Sequence, residues 1–235
     1  MQAHRKIAVA GATGRVGRHV ADVLKAQGHE VVAMSRSSGV DVVTGEGLAT
    51  ALDGVECVID AATGPSPEQQ AATTFFTAAA RNLQQAGERA GVRRIVVVSI
   101  IGCDRFRGGY GTAKVAHEHA MRAGPIPVGI LRAAQFHEFV AQLVDWGRQG
   151  EVSFVPEMRT QLVAAGTVAQ ALAELALATD PDWARAAAAG SAVRIEGVRD
   201  PSDPDSAVYT SGALLPSPHA TLAGPTFEEW LDATA

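Results

Sequence analysis

Tyr110 and Lys114 stand four residues apart in the run YGTAK, a spacing that puts both side chains on one face of a helix. Ser99 lies just upstream, near the end of the apolar run RIVVVSII. A hydroxyl, a phenol and an ammonium in that order meet the needs of carbonyl reduction. The hydroxyl orients the substrate oxygen, the phenol delivers a proton, and the cation lowers the phenol pKa and holds a ribose. The spacing alone is a weak signal, because a helix-start tyrosine and a solvated lysine also produce it.

Gly11 to Gly17 read GATGRVG, directly after the β-rich run KIAVA and directly before a helical repeat. That context is what a phosphate-binding turn requires. Gly11 permits the tight turn, Gly14 lets the backbone approach a pyrophosphate, and Gly17 lets the helix pack close to the sheet. The helix start then offers free N–H groups and a partial positive charge to the phosphates. The competing account is that these glycines only build a tight strand-to-helix turn.

Ser35 and Arg36 follow the second β-rich run, at the place where an NAD site carries an acidic residue for the ribose 2′-OH. A guanidinium forks onto a 2′-phosphate. Arg36, with Arg15 inside the glycine loop, therefore points to NADP(H) over NAD(H), unless Arg36 is a plain surface arginine. Asp41 and Val42 come shortly after. Asp41 either borders the adenine, with Val42 beside it, or is a turn residue.

The elements that must position these residues alternate along the chain. Strands are expected at Lys6–Ala10, Glu30–Met34, Val55–Ala61, Arg94–Ile101 and Val128–Arg132, with a brief one at 41–43. Helices are expected over 14–27, 48–52, 68–90, 110–122, 139–148 and 167–179. This alternation predicts an α/β fold, a Rossmann-like doubly wound parallel sheet with a small C-terminal substrate lobe. One domain is expected over 1–235, with residues from about 140 to 235 contributing the lobe. Residues 193–197 read as a late strand, 200–225 as a long surface loop and FEEWLDA as a closing helical turn.

Composition narrows the function classes. The chain is 47% hydrophobic and 19% charged, enough for a sizeable core, and its net charge of -5 argues against nucleic acid or an anionic membrane as partner. Cys57 and Cys103 have no CxxC neighbour, so no metal site or redox motif is expected and both read as reduced thiols. No run approaches the roughly 20 apolar residues of a membrane span. The N-terminus has no apolar signal-peptide core, which predicts a cytoplasmic location.

Taken together, GATGRVG, SR after the second strand, VIDAAT, VVVSIIG, YGTAK and LRAAQFHEF resemble the atypical short-chain dehydrogenase/reductases, in particular the NmrA-like, NAD(P)-binding branch often described as sugar-nucleotide epimerase-like. The resemblance covers residues 6 to about 180, and the glycine pattern is the GxxGxxG of the atypical and extended members. It implies that Gly11, Thr13, Gly14, Arg15 and Val16 line the pyrophosphate and that Arg36 meets the adenosine ribose phosphate. It places Ala61, Ala62 and Thr63 under the cofactor, Lys114 on the nicotinamide ribose, and Ala133, Ala134, Gln135 and Phe136 beside the nicotinamide. The segment between Arg36 and Val55 is short for the family, which suggests a trimmed strand–helix unit. Some family members bind cofactor and regulate without catalysing.

Other residues carry chemistry of their own. His117 and His119 do not share a helix face as an i, i+2 pair and read as surface histidines. Asp60 reads as a structural strand-end carboxylate. His137 binds substrate, acts as an acid or packs a loop. Arg105 and Arg107 either steer an anionic substrate or are surface charges. Trp146, Phe154 and Met158 either wall the pocket or pack the core. The expectation is NADPH-dependent reduction of a small carbonyl or quinone-like substrate by a monomer or homodimer, with Ser99, Tyr110 and Lys114 catalytic. A non-catalytic NADP(H)-sensing protein is the alternative. A sugar-nucleotide epimerase or dehydratase comes third, because the chain beyond Phe139 leaves little room for a nucleotide-sugar lobe.

Overall fold

The computed structural model describes residues 4–178, 191–192, 204–218, 220 and 223–234. The chain begins with β1 (Lys6–Ala10), α1 (Gly17–Ala26), β2 (Glu30–Met34), the short α2 (Leu48–Ala51) and β3 (Cys57–Asp60). It continues through α3 (Gln69–Ala90), β4 (Arg94–Ile100), α4 (Gly109–Arg122) and β5 (Val128–Ala133). Then come α5 (His137–Trp146), the two-residue strands β6 (Arg148–Gln149), β7 (Val152–Ser153) and β8 (Gln161–Leu162), and α6 (Ala165–Leu177). A last two-residue strand β9 (Ser191–Ala192) and helices α7 (Ser206–Thr210) and α8 (Phe227–Thr234) complete the described elements.

The five long strands form one sheet in the order β2-β1-β3-β4-β5, and every pairing is parallel. Alternation within each strand divides the core. Ile7, Val9, Ile59, Val96 and Leu131 pack with α1 and α6 on one face. Ala8, Ala10, Val58, Ile95 and Val97 pack with α2, α3 and α4 on the other. Covering both faces accounts for apolar strands without a polar side, and all four residues of β3 are buried. The winding reverses between β1 and β3, the switch point where doubly wound sheets bind ligands at their carboxyl edge.

Local chemistry sets the element ends. The Glu68 carboxylate caps α3 by accepting from Gln70 N at 3.0 Å and Ala71 N at 2.9 Å. The buried stripe Phe76, Ala79, Ala80 and Leu83 follows the spacing read from the sequence. No strand pairs on the outer side of β2 among the described residues.

Three expectations need correction. Residues 41–43 form no strand; Asp41 Oδ1 instead accepts from Val43 N at 2.7 Å and Thr44 N at 3.3 Å, making a turn. The stretch read as a surface loop over 200–225 contains α7 and the fully buried Leu214, so its described part packs on the domain. Trp146 and Phe154 are 60% and 49% exposed, so neither is core. The late strand at 193–197 lies outside the described residues.

Candidate functional site

The glycine loop joins β1 to α1 at the switch point. Gly11 adopts a φ of 73°, and a Cβ there would stand 2.7 Å from the Ala61 carbonyl oxygen. A Cβ on Gly17 would stand 2.1 Å from the Gly11 oxygen. Side chains are therefore excluded from both ends of the loop, which brings α1 against β1 and β1 against the exit of β3. Gly14 N closes the turn onto Gly11 O at 2.9 Å, and Thr13 and Gly14 are exposed. The N–H groups of Arg15, Val16 and Gly17 have no acceptor among the described residues, and the first turn of α1 holds no acidic residue. Backbone donors and the helix dipole are thus aimed at the same place, an arrangement able to hold an anion.

The other cofactor candidates gather at the same carboxyl edge. Arg36 opens a 3-10 turn after β2, and its exposed guanidinium has no hydrogen bond or ion pair among the described residues. Ser35, Ser37 and Ser38 surround it with hydroxyls; Ser35 Oγ and Ser37 Oγ lie 2.8 Å apart. Arg15 Nη2 donates to Gln142 Oε1 of α5 at 3.0 Å. Ala61 and Ala62 are buried and Thr63 exposed after β3, while Val42 is buried behind the Asp41 turn. Ala133 at the end of β5 and Ala134 just after it are buried, followed by half-buried Gln135 and Phe136. Gln135 Oε1 accepts from Thr160 Oγ1, and Val163 N donates to Gln135 O at 3.0 Å, so β8 holds this exit in place.

Helix α4 carries Tyr110 and Lys114, but they face different surroundings. Lys114 is only 4% exposed. Its Nζ donates to Val98 O at 2.8 Å, lies 2.9 Å from His117 Nδ1 and sits 4.2 Å from the Phe76 ring centroid. His117 Nε2 lies 3.0 Å from Asp60 Oδ2, and the His117 ring stacks on Phe76 at 4.6 Å. Burial pulls the Lys114 ammonium down to about 8, with Asp60 and Glu118 opposing the fall. Burial also lowers the His117 pKa, helped by the Lys114 charge. Burial pushes the Asp60 carboxyl up, but the His117 and Ala62 hydrogen bonds and the Lys114 charge outweigh it and hold it down. Tyr110 meets the Phe76 ring edge-on at 5.7 Å, and its hydroxyl has no hydrogen bond among the described residues. Burial, then the Asp60 charge, pushes the phenol up to about 12.

Ser99 is 2% exposed, and its hydroxyl faces Cys103 Sγ at 3.8 Å rather than Tyr110. Cys103 Sγ donates to Glu118 Oε1 at 3.4 Å. Glu118 is gripped by Arg132 through Nε at 2.9 Å and Nη2 at 2.8 Å. Burial raises the Glu118 carboxyl, yet the Arg132 and Ser99 hydrogen bonds bring it down to about 2. The loop feeding α4 is held from outside: the Asp205 carboxylate accepts from Arg107 N at 2.8 Å and Gly108 N at 3.2 Å, and Gln69 Oε1 accepts from Gly109 N at 2.9 Å.

His117 is thus not a surface histidine; it is 1% exposed and bonded at both ring nitrogens, whereas His119 is exposed as expected. The signal was in the sequence. His117 lies three residues after Lys114, on the same helix face, and pairing it with His119 obscured that. Asp60 does accept a backbone N–H, from Ala62 at 3.0 Å, and has the His117 contact in addition. Asp205 gave no such signal, since it sits far along the chain in a Pro- and Ser-rich stretch. His137 is 1% exposed and meets the stacked pair Phe227 and Trp230 edge-on at 5.4 and 5.5 Å, a packing contact with α8. Phe154 stands on the exposed β6–β7 hairpin region. A cavity of about 490 Å³ opens beyond β4, between Ile101–Arg105, Arg132 and the segment 212–218. Among the described residues no His, Cys, Asp and Glu group could hold a metal, and no helix is long and apolar enough to cross a membrane.

A reversing parallel sheet with a glycine cradle at its switch point defines a dinucleotide-binding α/β protein. Residues 11–176 match the NAD(P)H-binding family, and the chain belongs to it. Among solved structures it is similar to MoeE5 in complex with UDP-glucose and NAD, at 21% identity and a TM-score of 0.62 over 94% of this chain and 86% of that one. It is also similar to UDP-N-acetylglucosamine 4-epimerase from Bacillus cereus, at 23% identity and a TM-score of 0.57 over 74% and 71%. The Bordetella bronchiseptica enzyme WbmG in complex with NAD matches at 18% identity and a TM-score of 0.59 over 75% and 70%. At these identities the likeness establishes the fold. No curated protein matches the chain.

Proposed function

We propose that this chain is an NADP(H)-dependent oxidoreductase that reduces a small quinone-like or carbonyl substrate. The observation that carries the cofactor choice is Arg36, an exposed guanidinium free of partners among the described residues, beside three serine hydroxyls and no carboxylate. A 2′-phosphate supplies the planar anion that such a fork binds, and an acidic residue there would repel it. The glycine cradle, with Thr13, Gly14, Arg15 and Val16, takes the pyrophosphate, and Ala61–Thr63 and Ala133–Phe136 border the nicotinamide half.

The bound dinucleotide supplies the hydride. The chain supplies binding, orientation and a proton. Tyr110, with its phenol raised to about 12, stays protonated near neutral pH and donates a hydrogen bond to the substrate oxygen. Its proton passes downhill to the strongly basic alkoxide left by reduction of a ketone or aldehyde, whereas to the less basic anion of a reduced quinone it offers a hydrogen bond. Lys114 supports the ribose side. Ser99, enclosed against Cys103, shapes the strand end instead of touching substrate.

A second reading, a regulatory protein that senses NADP(H) without turnover, is favoured by the inward Lys114 and the raised Tyr110. One experiment separates the two. Purified protein with NADPH is screened against quinones, aldehydes, ketones and UDP-glucose, beside Tyr110→Phe. Turnover that falls about 100-fold or more in the variant with unchanged NADPH affinity supports reduction. NADPH binding with no turnover on any acceptor supports the sensor.

A further inference from the structure

Three buried groups that the proposed reaction does not need in contact with substrate form one connected chain behind α4. Lys114 is an ammonium, with three protons to give and no lone pair. At 2.9 Å its neighbour His117 Nδ1 must therefore accept. The imidazole proton then belongs on Nε2, 3.0 Å from Asp60 Oδ2, and an ionised carboxylate is the matching acceptor. The other Asp60 oxygen takes the Ala62 N–H at 3.0 Å. With Lys114 charged, one assignment satisfies every contact: Asp60 ionised and His117 neutral with its proton on Nε2. The opposite tautomer would aim an N–H at the ammonium. The Phe76 ring, stacked on His117 with a 20° interplanar angle, fixes the plane in which Nδ1 points.

We propose that Asp60 and His117 are positioning residues for Lys114: Asp60 fixes the His117 tautomer, and His117 with Val98 O fixes the direction and charge of the Lys114 ammonium. The proposal rests on the reading of Lys114 as a cofactor-side cation. It extends that reading to two residues outside the Ser–Tyr–Lys set. It also links two parts of the site, because Asp60 grips Ala62 in the segment assigned to the cofactor while orienting the histidine that orients Lys114. The charged or titratable groups acting on Lys114 are Asp60 from β3, Glu118 and His117 from α4, and Cys103 from the loop after β4. Burial drives the ammonium toward its neutral form, and the Asp60 charge is the largest opposing influence. Removing that charge has two effects of the same sign. An Asn at position 60 no longer attracts the ammonium, and its amide N–H favours the His117 tautomer that repels it.

The first test is nitrogen NMR of the histidine side chains in the full-length protein without cofactor. Wild type is expected to show His117 neutral, protonated on Nε2, near neutral pH, and Asp60→Asn is expected to move the proton to Nδ1. The second is NADPH affinity against pH. Wild-type affinity is expected to fall as pH rises through about 8. In Asp60→Asn that fall moves lower by about one pH unit or more, a tenfold change in the proton equilibrium. His117→Gln, whose amide oxygen still accepts from Nζ, is expected to keep the wild-type profile. A wild-type His117 that is protonated on Nδ1 alone or doubly protonated overturns the proposal, and so does an unchanged pH profile in Asp60→Asn. Failure of NADPH to bind at any pH counts against the cofactor reading, whereas the tautomer in the cofactor-free protein decides the positioning claim even if Asp60→Asn does not fold.

Discussion

Arg15 Nη2 donates to Gln142 Oε1 at 3.0 Å, so a single guanidinium ties the glycine loop to helix α5. The bond uses one of five N–H donors and leaves the rest of the fork free. Gln142 therefore holds Arg15 ready for a phosphate without neutralising it. Gln142→Leu releases that side chain, and restoring its order on binding costs about 0.5–1.5 kcal/mol. NADPH affinity is expected to weaken roughly two- to tenfold with the fold unchanged, as read by fluorescence titration and circular dichroism.

Arg36→Glu reverses the charge at the proposed 2′-phosphate position. A charge-assisted hydrogen bond contributes about 1.5–3 kcal/mol. NADPH affinity should fall by about ten- to a hundredfold or more, while NADH affinity stays level or rises. Equal loss for both cofactors would show that Arg36 supports the loop and not the phosphate.

Lys114 contributes a rise in stability between about pH 8 and 10, opposed from about pH 9 by the buried Cys57 thiol, which burial pushes up to about 12. In the unfolded chain the Lys114 ammonium titrates near its ordinary 10.5; burial brings it to about 8 in the fold. Between these values the unfolded chain binds the proton and the folded one does not, so unfolding becomes harder as pH increases. The full effect is about 3 kcal/mol. Lys114→Met should lack this rise in urea unfolding measured across the window. Above pH 10 Tyr110 acts in the opposite direction, because its phenol is raised to about 12 in the fold.

Glu118 governs the acid side. Its carboxyl titrates at about 2 in the fold, below the ordinary 4.5. Its contribution is complete above that ordinary value and is lost as pH falls toward 2. Glu118→Gln should be less stable than wild type near neutral pH and show a shallower acid loss. Arg132→Met should be worse than Glu118→Gln near neutral pH, since it leaves a 1%-exposed carboxylate without its bidentate partner.

Much of the fold was legible because it rests on local patterning. The five apolar runs became the five parallel strands, and the spacing of Phe76, Ala79, Ala80 and Leu83 became the buried stripe of α3. The glycine loop was legible for a different reason: each glycine answers a backbone constraint that no other residue meets, and Gly11 and Gly17 are indeed blocked by backbone atoms. The α4 site was only half legible. Sequence order put Tyr110 and Lys114 on one helix, but it could not show that Lys114 turns inward, because Asp60 reaches it from a strand through His117. Ser99 was placed on the correct strand, yet strand alternation turned it to the face shared with Cys103 and Glu118. The tail was least legible. Asp205 grips the backbone of Arg107 and Gly108 across the chain, a contact no local pattern encodes.

The central claim is that the cradle and Arg36 select NADP(H). The most direct measurement is a titration of the purified protein with NADPH and, separately, NADH, following nicotinamide fluorescence. The account predicts saturable binding of NADPH with NADH weaker by about tenfold or more. Equal affinity for the two would contradict the role of Arg36, and no binding of either would contradict the cofactor site and the functions drawn from it.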